Sequence, residues 1–216
     1  MSIERLKFNI SMLGDSSVGK TCMINSLKDF PFDENEIATI GVDDVYDEAK
    51  FDNTLYKFKI FDTAGQERYR GITTNTLQIS DGFMLVFSII NKESFDRIPN
   101  WIDTIKDKVN IEEKVLYLIG NKIDMKEERI VSSEEASNLA KMYNIQYFET
   151  SAKTGVNIKE TFHKIYEDIY NLNKKLENQD ENEDENYNVH KDSIQLNRND
   201  HFEHKNKEDK KKKKCC

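Results

Sequence analysis

Proline is nearly absent from this chain. Only Pro31 and Pro99 occur in 216 residues, so turns must be made mostly by Gly, Asn and Asp. Cysteine is scarce as well. Cys22 stands inside the chain, and Cys215 and Cys216 stand at its end. One internal thiol and a terminal pair make no disulfide framework, and a reducing cytosol is the expected compartment. Long apolar runs are missing too. None approaches the ~20 residues that cross a bilayer. The opening "MSIERLKFNI" lacks the apolar region of a signal peptide, so no secretory leader is expected. Finally, there is no excess of positive charge. With 40 acidic and 32 basic residues the net charge is -8, which argues against a nucleic-acid binder working by bulk charge.

What is present divides into two regimes. Residues 1–176 alternate short apolar runs with amphipathic segments. Residues 177–216 are rich in Asn, Asp and Glu, carry only isolated aliphatics and show no sustained periodicity. The first part is expected to be one folded domain and the second a disordered tail. Strands are expected at Leu6–Leu13, Val42–Phe51, Tyr56–Phe61, Phe83–Ile89, Val115–Ile119 and Gln146–Glu149. Helices are expected at Lys20–Leu27, Glu93–Asn110, Ser133–Tyr143 and Asn157–Leu176. "FMLVFSII" and "VLYLIG" are continuously apolar, as strands buried on both faces of a parallel sheet are. "DNT" at 52–54 is short enough to join two strands directly, so one edge pair is expected to be antiparallel. In "SSEEASNLAKMY", Ser132 or Ser133 is a candidate helix cap. The fold class is therefore α/β, with three layers in the order helix–sheet–helix.

Between the first strand and the first helix lies "GDSSVGKT", Gly14 to Thr21, a full G-x-x-x-x-G-K-[ST] match that makes this a P-loop NTPase sequence. Such a loop wraps a polyphosphate with inward-pointing backbone N–H groups, here those of Gly14, Asp15, Ser16, Ser17, Val18, Gly19 and Lys20. Gly14 and Gly19 permit backbone angles and a close approach that a side chain would block. The following helix aims its positive end at the same phosphates. Lys20 would reach the β- and γ-phosphates, and Thr21 would offer its hydroxyl to Mg²⁺. Cys22, next along, is grouped with the nucleotide-binding residues, but as a packing residue of the helix rather than a nucleophile. Nucleotide kinases, ATPases and GTPases all use this loop, so the base and the reaction must be read elsewhere.

"LIGNKIDM" places Asn121, Lys122 and Asp124 directly after a buried strand, at the edge where open α/β sheets bind ligands. Asp124 can accept two hydrogen bonds from the N1–H and 2-amino edge of guanine; adenine has no such donor pair. Asn121 can tie this loop to the phosphate loop, and the Lys122 stem can cover the base. In "ETSAKTG", after the next strand, Ser151 can brace Asp124. The Ala152 N–H can donate to guanine O6, and Lys153 can cover the ring edge. "FDTAGQE" ends an apolar strand at Asp62, a usual place for a carboxylate that holds Mg²⁺. There Gly65 can present its N–H to the γ-phosphate, and Gln66 can orient an attacking water without being a strong base. Thr39, in the polar connection "ATIGVDD", can close over Mg²⁺ and the γ-phosphate. Loss of that phosphate would release both segments, which makes a switch.

Taken together, "GDSSVGKT", "DTAGQE", "NKID" and "ETSAK" resemble the Ras-like small GTPases, and most closely the Rab family, over about residues 6–176. The 18-residue step from Thr21 to Thr39 and the stretches "TIGVD" and "QERYRGIT" carry the same resemblance. It implies a six-stranded, mostly parallel sheet with five helices and a monomeric GTPase domain. It also implies a GDP/GTP cycle with Mg²⁺ in vesicle-mediated transport, and slow hydrolysis without a GTPase-activating protein. Exchange factors, effectors and a GDP-dissociation inhibitor follow as partners, and Phe32 as the ring that leans on the guanine edge. The chain departs from the Rab pattern at Asp44, at Phe61 and at Thr76–Leu77, which replace the usual aromatics of the effector patch. A guanine-nucleotide-binding scaffold with negligible hydrolysis is the alternative reading.

The chain ends in "KKKKKCC". Alone, Lys210–Lys214 would read as a solvated charge run. With the resemblance, Cys215 and Cys216 are implied to be geranylgeranylated by a Rab-type prenylation machinery, since "CC" is not a C-a-a-X motif. Two chains give lasting attachment where one is marginal. The lysines would add attraction to an anionic cytoplasmic leaflet. The expected location is the cytoplasmic face of an intracellular membrane, in exchange with cytosol. "ENQDENEDEN" would be repelled from that surface and act as a spacer.

Overall fold

A computed structural model describes residues 4–33, 42–63 and 70–178. Six strands are β1 (Glu4–Leu13), β2 (Val42–Phe51), β3 (Thr54–Thr63), β4 (Gly82–Ser88), β5 (Val115–Asn121) and β6 (Gln146–Glu149). The helices are α1 (Lys20–Leu27), α2 (Arg70–Ile79), α3 (Lys92–Asp96), α4 (Ile98–Lys106), α5 (Ser133–Met142) and α6 (158–178). The strands form one sheet in the order β2-β3-β1-β4-β5-β6. All neighbours are parallel except β2 and β3. A first compact unit runs Met1–Leu172 and a second Asn173–Cys216.

The parallel strands alternate their side chains between two cores, as a period of two requires. From β4, Met84 and Val86 enter one core, and Phe83, Leu85 and Phe87 enter the other. β5 divides the same way, with Tyr117 and Ile119 on one face and Leu116 and Leu118 on the opposite one. Met23 and Ile24 of α1 and Phe162 and Ile165 of α6 close the first core. Leu77 of α2, Phe95 of α3, Ile102 of α4 and Ala136 of α5 close the second. Each fully buried Leu, Ile or Phe here contributes ~1.5–3 kcal/mol of transfer free energy. The two layers fix where the carboxyl ends of β1, β3, β5 and β6 emerge, which is one edge of the sheet.

β2 and β3 pair from Val42↔Thr63 to Phe51↔Thr54, leaving only Asp52 and Asn53 to turn. Both have positive φ, 45° and 62°, which matches the twist a two-residue hairpin needs. Ser132 is the cap of α5, accepting from the Glu135 N–H at 3.1 Å. Two expectations need correction. The helix expected over Glu93–Asn110 is broken at Arg97 into α3 and α4. Pro99, in the first turn of α4, has no N–H to continue the ladder and its ring crowds the carbonyl four residues back. Among the described residues six α-helical segments result where five helices were implied. α2 was not read as a helix from its own residues.

Candidate functional site

β1 ends at Leu13, and the next residue approaches β4 so closely that a Cβ on Gly14 would lie 2.1 Å from the Val86 carbonyl oxygen. Gly14 and Gly19 have φ of 140° and 98°, and Ser17 also has positive φ. A Cβ on Gly19 would meet Asn121 Nδ2 at 2.4 Å. Both glycines are thus required by geometry at the positions the motif demands. Gly19 occupies the cap position of α1 and supplies no side-chain hydrogen bond to it. The uncapped helix end therefore faces the loop, as an anion cradle does.

Lys20 is buried, and its ammonium donates to the carbonyls of Gly14 and Asp15, each at 2.9 Å. Burial lowers its pKa to about 8, against the attraction of Asp62 and Asp15. Val18 is buried, while Ser16 and Ser17 are exposed. Thr21 Oγ1 donates to Asp62 Oδ2 at 2.5 Å, across 41 residues. A hydroxyl and a carboxylate therefore stand side by side at the loop, both hard oxygen donors of the kind Mg²⁺ prefers. Among the described residues no group of three or more His, Cys, Asp or Glu could hold a metal by itself.

β5 delivers Asn121 to the same edge. Its Nδ2 donates to the Val18 carbonyl at 2.9 Å, and its Oδ1 accepts from Thr150 Oγ1 at 3.2 Å and from the Ala152 N–H at 3.1 Å. One buried side chain thus links the phosphate loop to the loops after β5 and β6. The Ala152 N–H, expected to meet a base oxygen, is directed at Asn121. Ser151 Oγ donates to Asp124 Oδ1 at 2.6 Å, the brace anticipated from the sequence. A cavity of about 410 Å³ opens here, walled by Cys22, Phe32, Asn121, Lys122, Asp124 and Lys153 among others. Lys153 Nζ lies 5.7 Å from the Phe32 ring centroid, closing one side.

Further groups support this edge. Arg129 grips Glu149 with both guanidinium nitrogens at 2.9 Å, and Ser133 and Tyr147 donate to the same carboxylate. Burial alone would raise the Glu149 carboxyl, but these hydrogen bonds outweigh it and hold the pKa below the usual carboxylate value. Arg97 Nη1 donates to Asp15 Oδ2 at 3.1 Å, and the Trp101 side chain also favours the charged form of Asp15. Thr39, Gly65, Gln66, Lys210–Lys214, Cys215 and Cys216 lie outside the described residues.

The sheet order, the glycine-bounded loop and the uncapped helix behind it define the P-loop NTPase class. Comparison with known proteins narrows this. Residues 9–171 match the model of the Ras family. The chain is 42% identical over 170 residues to the Ras-related protein Rab-8 of Diplobatis ommata, covering 78% of this chain and 80% of that protein. It is 41% identical over 170 residues to Rab-8B of Homo sapiens (78% and 82%), and 40% identical over 171 residues to Rab-8A of Bos taurus (79% and 82%). The chain belongs to the Ras family and is a small GTPase of the Rab kind.

Proposed function

We propose that this GTPase binds GDP and GTP with Mg²⁺, hydrolyses GTP to GDP and phosphate, and works as a membrane-anchored switch in vesicle traffic. The observation that carries this reading is Asn121, which joins the phosphate loop to the two loops that frame the cavity. A ligand spanning both regions, a polyphosphate at one end and a purine at the other, fits that connection.

In this reading Lys20 turns from the Gly14 and Asp15 carbonyls to the β- and γ-phosphates, and the loop N–H groups hold the chain of phosphates. Asp124, held by Ser151, accepts from the guanine edge. The Ala152 N–H is shared between Asn121 and the base oxygen. Lys122, Lys153 and Phe32 cover the ring, beside Cys22. Thr21, Asp62 and Thr39 would hold Mg²⁺, which neutralises charge on the phosphates. Gln66 orients the attacking water and Gly65 faces the γ-phosphate. Arg97 is committed to Asp15 and Glu93, and a GTPase-activating protein would supply the charge that fast turnover needs.

Residues 1–176 are the catalytic domain and 177–216 the tail, whose Cys215 and Cys216 carry prenyl groups on a cytoplasmic membrane face. Exchange factors, effectors, a GDP-dissociation inhibitor and the prenylation machinery are the partners. The test is a competition titration against labelled GDP. GTP should displace the label and ATP should not. Asp124→Asn should weaken GTP binding about 10–100-fold, the cost of losing a charged acceptor, and improve binding of xanthosine triphosphate. Equal displacement by ATP would overturn the reading. Single-turnover phosphate release, slowed by Gln66→Leu, separates a switch from a non-hydrolysing scaffold.

A further inference from the structure

Arg97 stands at the junction of two helices. It closes α3, its N–H donating to the Glu93 carbonyl at 3.1 Å, and it opens α4 without making any side-chain cap hydrogen bond, although Ser, Thr, Asp or Asn there would contribute one. The Pro99 break leaves the Arg97 side chain uncommitted to a cap, and it reaches across 82 residues to the phosphate loop. There it donates to Asp15, while its other nitrogen donates to Glu93.

Asp15 needs this partner. Its side chain is only 14% exposed. Burial pushes its carboxyl above the usual range, against the pull of Arg97, the Trp101 side chain and Lys20. The attraction between Asp15 and Lys20 runs both ways. With Arg97 removed, the attraction between the Asp15 carboxylate and the Lys20 ammonium remains, and Lys20 is the group the phosphates require.

We propose that Arg97, assisted by Trp101, is a positioning residue of the phosphate loop: it holds the Asp15 carboxylate toward the α3–α4 junction and so reserves the Lys20 ammonium for the nucleotide. This rests on the nucleotide-binding reading above. Because Lys20 serves the terminal phosphates in that reading, a competing carboxylate penalises the triphosphate more than the diphosphate. The junction between two short helices thereby sets the balance between the two nucleotide states.

The test is dissociation of fluorescently labelled GDP and of a labelled non-hydrolysable GTP analogue from the full chain. Arg97→Gln should speed release of the triphosphate about fivefold and of the diphosphate about twofold, the scale of a partly exposed ion pair. Trp101→Phe, which keeps the packing and removes the N–H donor, should act in the same direction but less. Adding Asp15→Asn to Arg97→Gln should return the triphosphate rate to that of Asp15→Asn alone, because the competing charge is gone. Unchanged rates would overturn the inference. So would equal acceleration of both nucleotides, which is what a merely loosened loop gives, or failure of the second substitution to rescue. If the unaltered chain retained neither nucleotide, the reading of the site would fall first; normal binding with an unmoved Arg97→Gln overturns this inference alone.

Discussion

Glu149 shows how a single side chain ties the end of β6 to the start of α5. It accepts from Arg129, Ser133 and Tyr147, and its pKa is held below the 4.5 of a free glutamate. The unfolded chain therefore binds the proton more readily than the folded one as pH falls. The stabilisation is complete above pH 4.5 and is lost as pH drops through the folded value. Glu149→Gln should cost about 1–2 kcal/mol at pH 7, after allowing for partial exposure. In denaturant melts, the gap to the unaltered chain should close as the pH is lowered below 4.5. At this scale, legibility in the sequence depended on spacing. Asn121, Asp124 and Ser151 fall in short motifs whose chemistry is local to a strand end, and a tie from Asn121 to the phosphate loop and one from Ser151 to Asp124 were anticipated, without Val18 as the particular partner. Arg97 and Trp101 were not. Their partner, Asp15, is more than 80 positions away, and neither belongs to a motif. The only available signal was that an arginine before "IPNW" makes a poor cap.

At the scale of elements, the β2–β3 hairpin was readable because two residues can connect strands in only a few ways. Asn53 at φ 62° tolerates the left-handed region; a β-branched residue does not. Asn53→Val should therefore destabilise the fold by about 1–2 kcal/mol, and Asn53→Gly should not. Urea midpoints measure both, and an unchanged slope would show that the unfolded state is unaltered. Two helical features resisted reading. α2 is "RGITTNTLQI", rich in threonine with a glycine, and its intrinsic propensity is low; buried Thr76 and Leu77 anchor it by tertiary packing instead. The α3–α4 break hides inside a sustained helical pattern, because Pro99 sits where a first-turn proline is tolerated. The pattern of apolar residues persists across it, with Phe95, Ile98 and Ile102 entering the same core.

For the whole molecule, composition separates the domain from the tail more clearly than any motif does. Among the described residues the core-filling side chains run as far as Ile169 of α6, with Tyr170 packed against them, and the sequence after residue 178 is poor in apolar residues. Removing residues 177–216 should leave the melting temperature of the nucleotide-bound protein within about 2 °C, the outcome expected if a segment this poor in apolar residues adds nothing to a core. It should abolish sedimentation with anionic vesicles after prenylation, as should Cys215→Ser combined with Cys216→Ser. Cys215→Ser alone should leave weak, reversible binding. The resemblance to the Rab family implied a six-stranded, mostly parallel sheet, but the strand order was not read from the sequence. Strand periodicity reports which faces are buried, but not which strand lies beside which.

Asn121 has a consequence for any regulator. Because one amide side chain latches three loops together, loosening any one of them slackens the others. A protein that pries at the far rim need never touch the phosphates to eject the nucleotide. Conversely, a fragment offering only a sugar and base, or only a string of phosphates, would grip far more weakly than its share of contacts suggests, because neither half alone secures the latch.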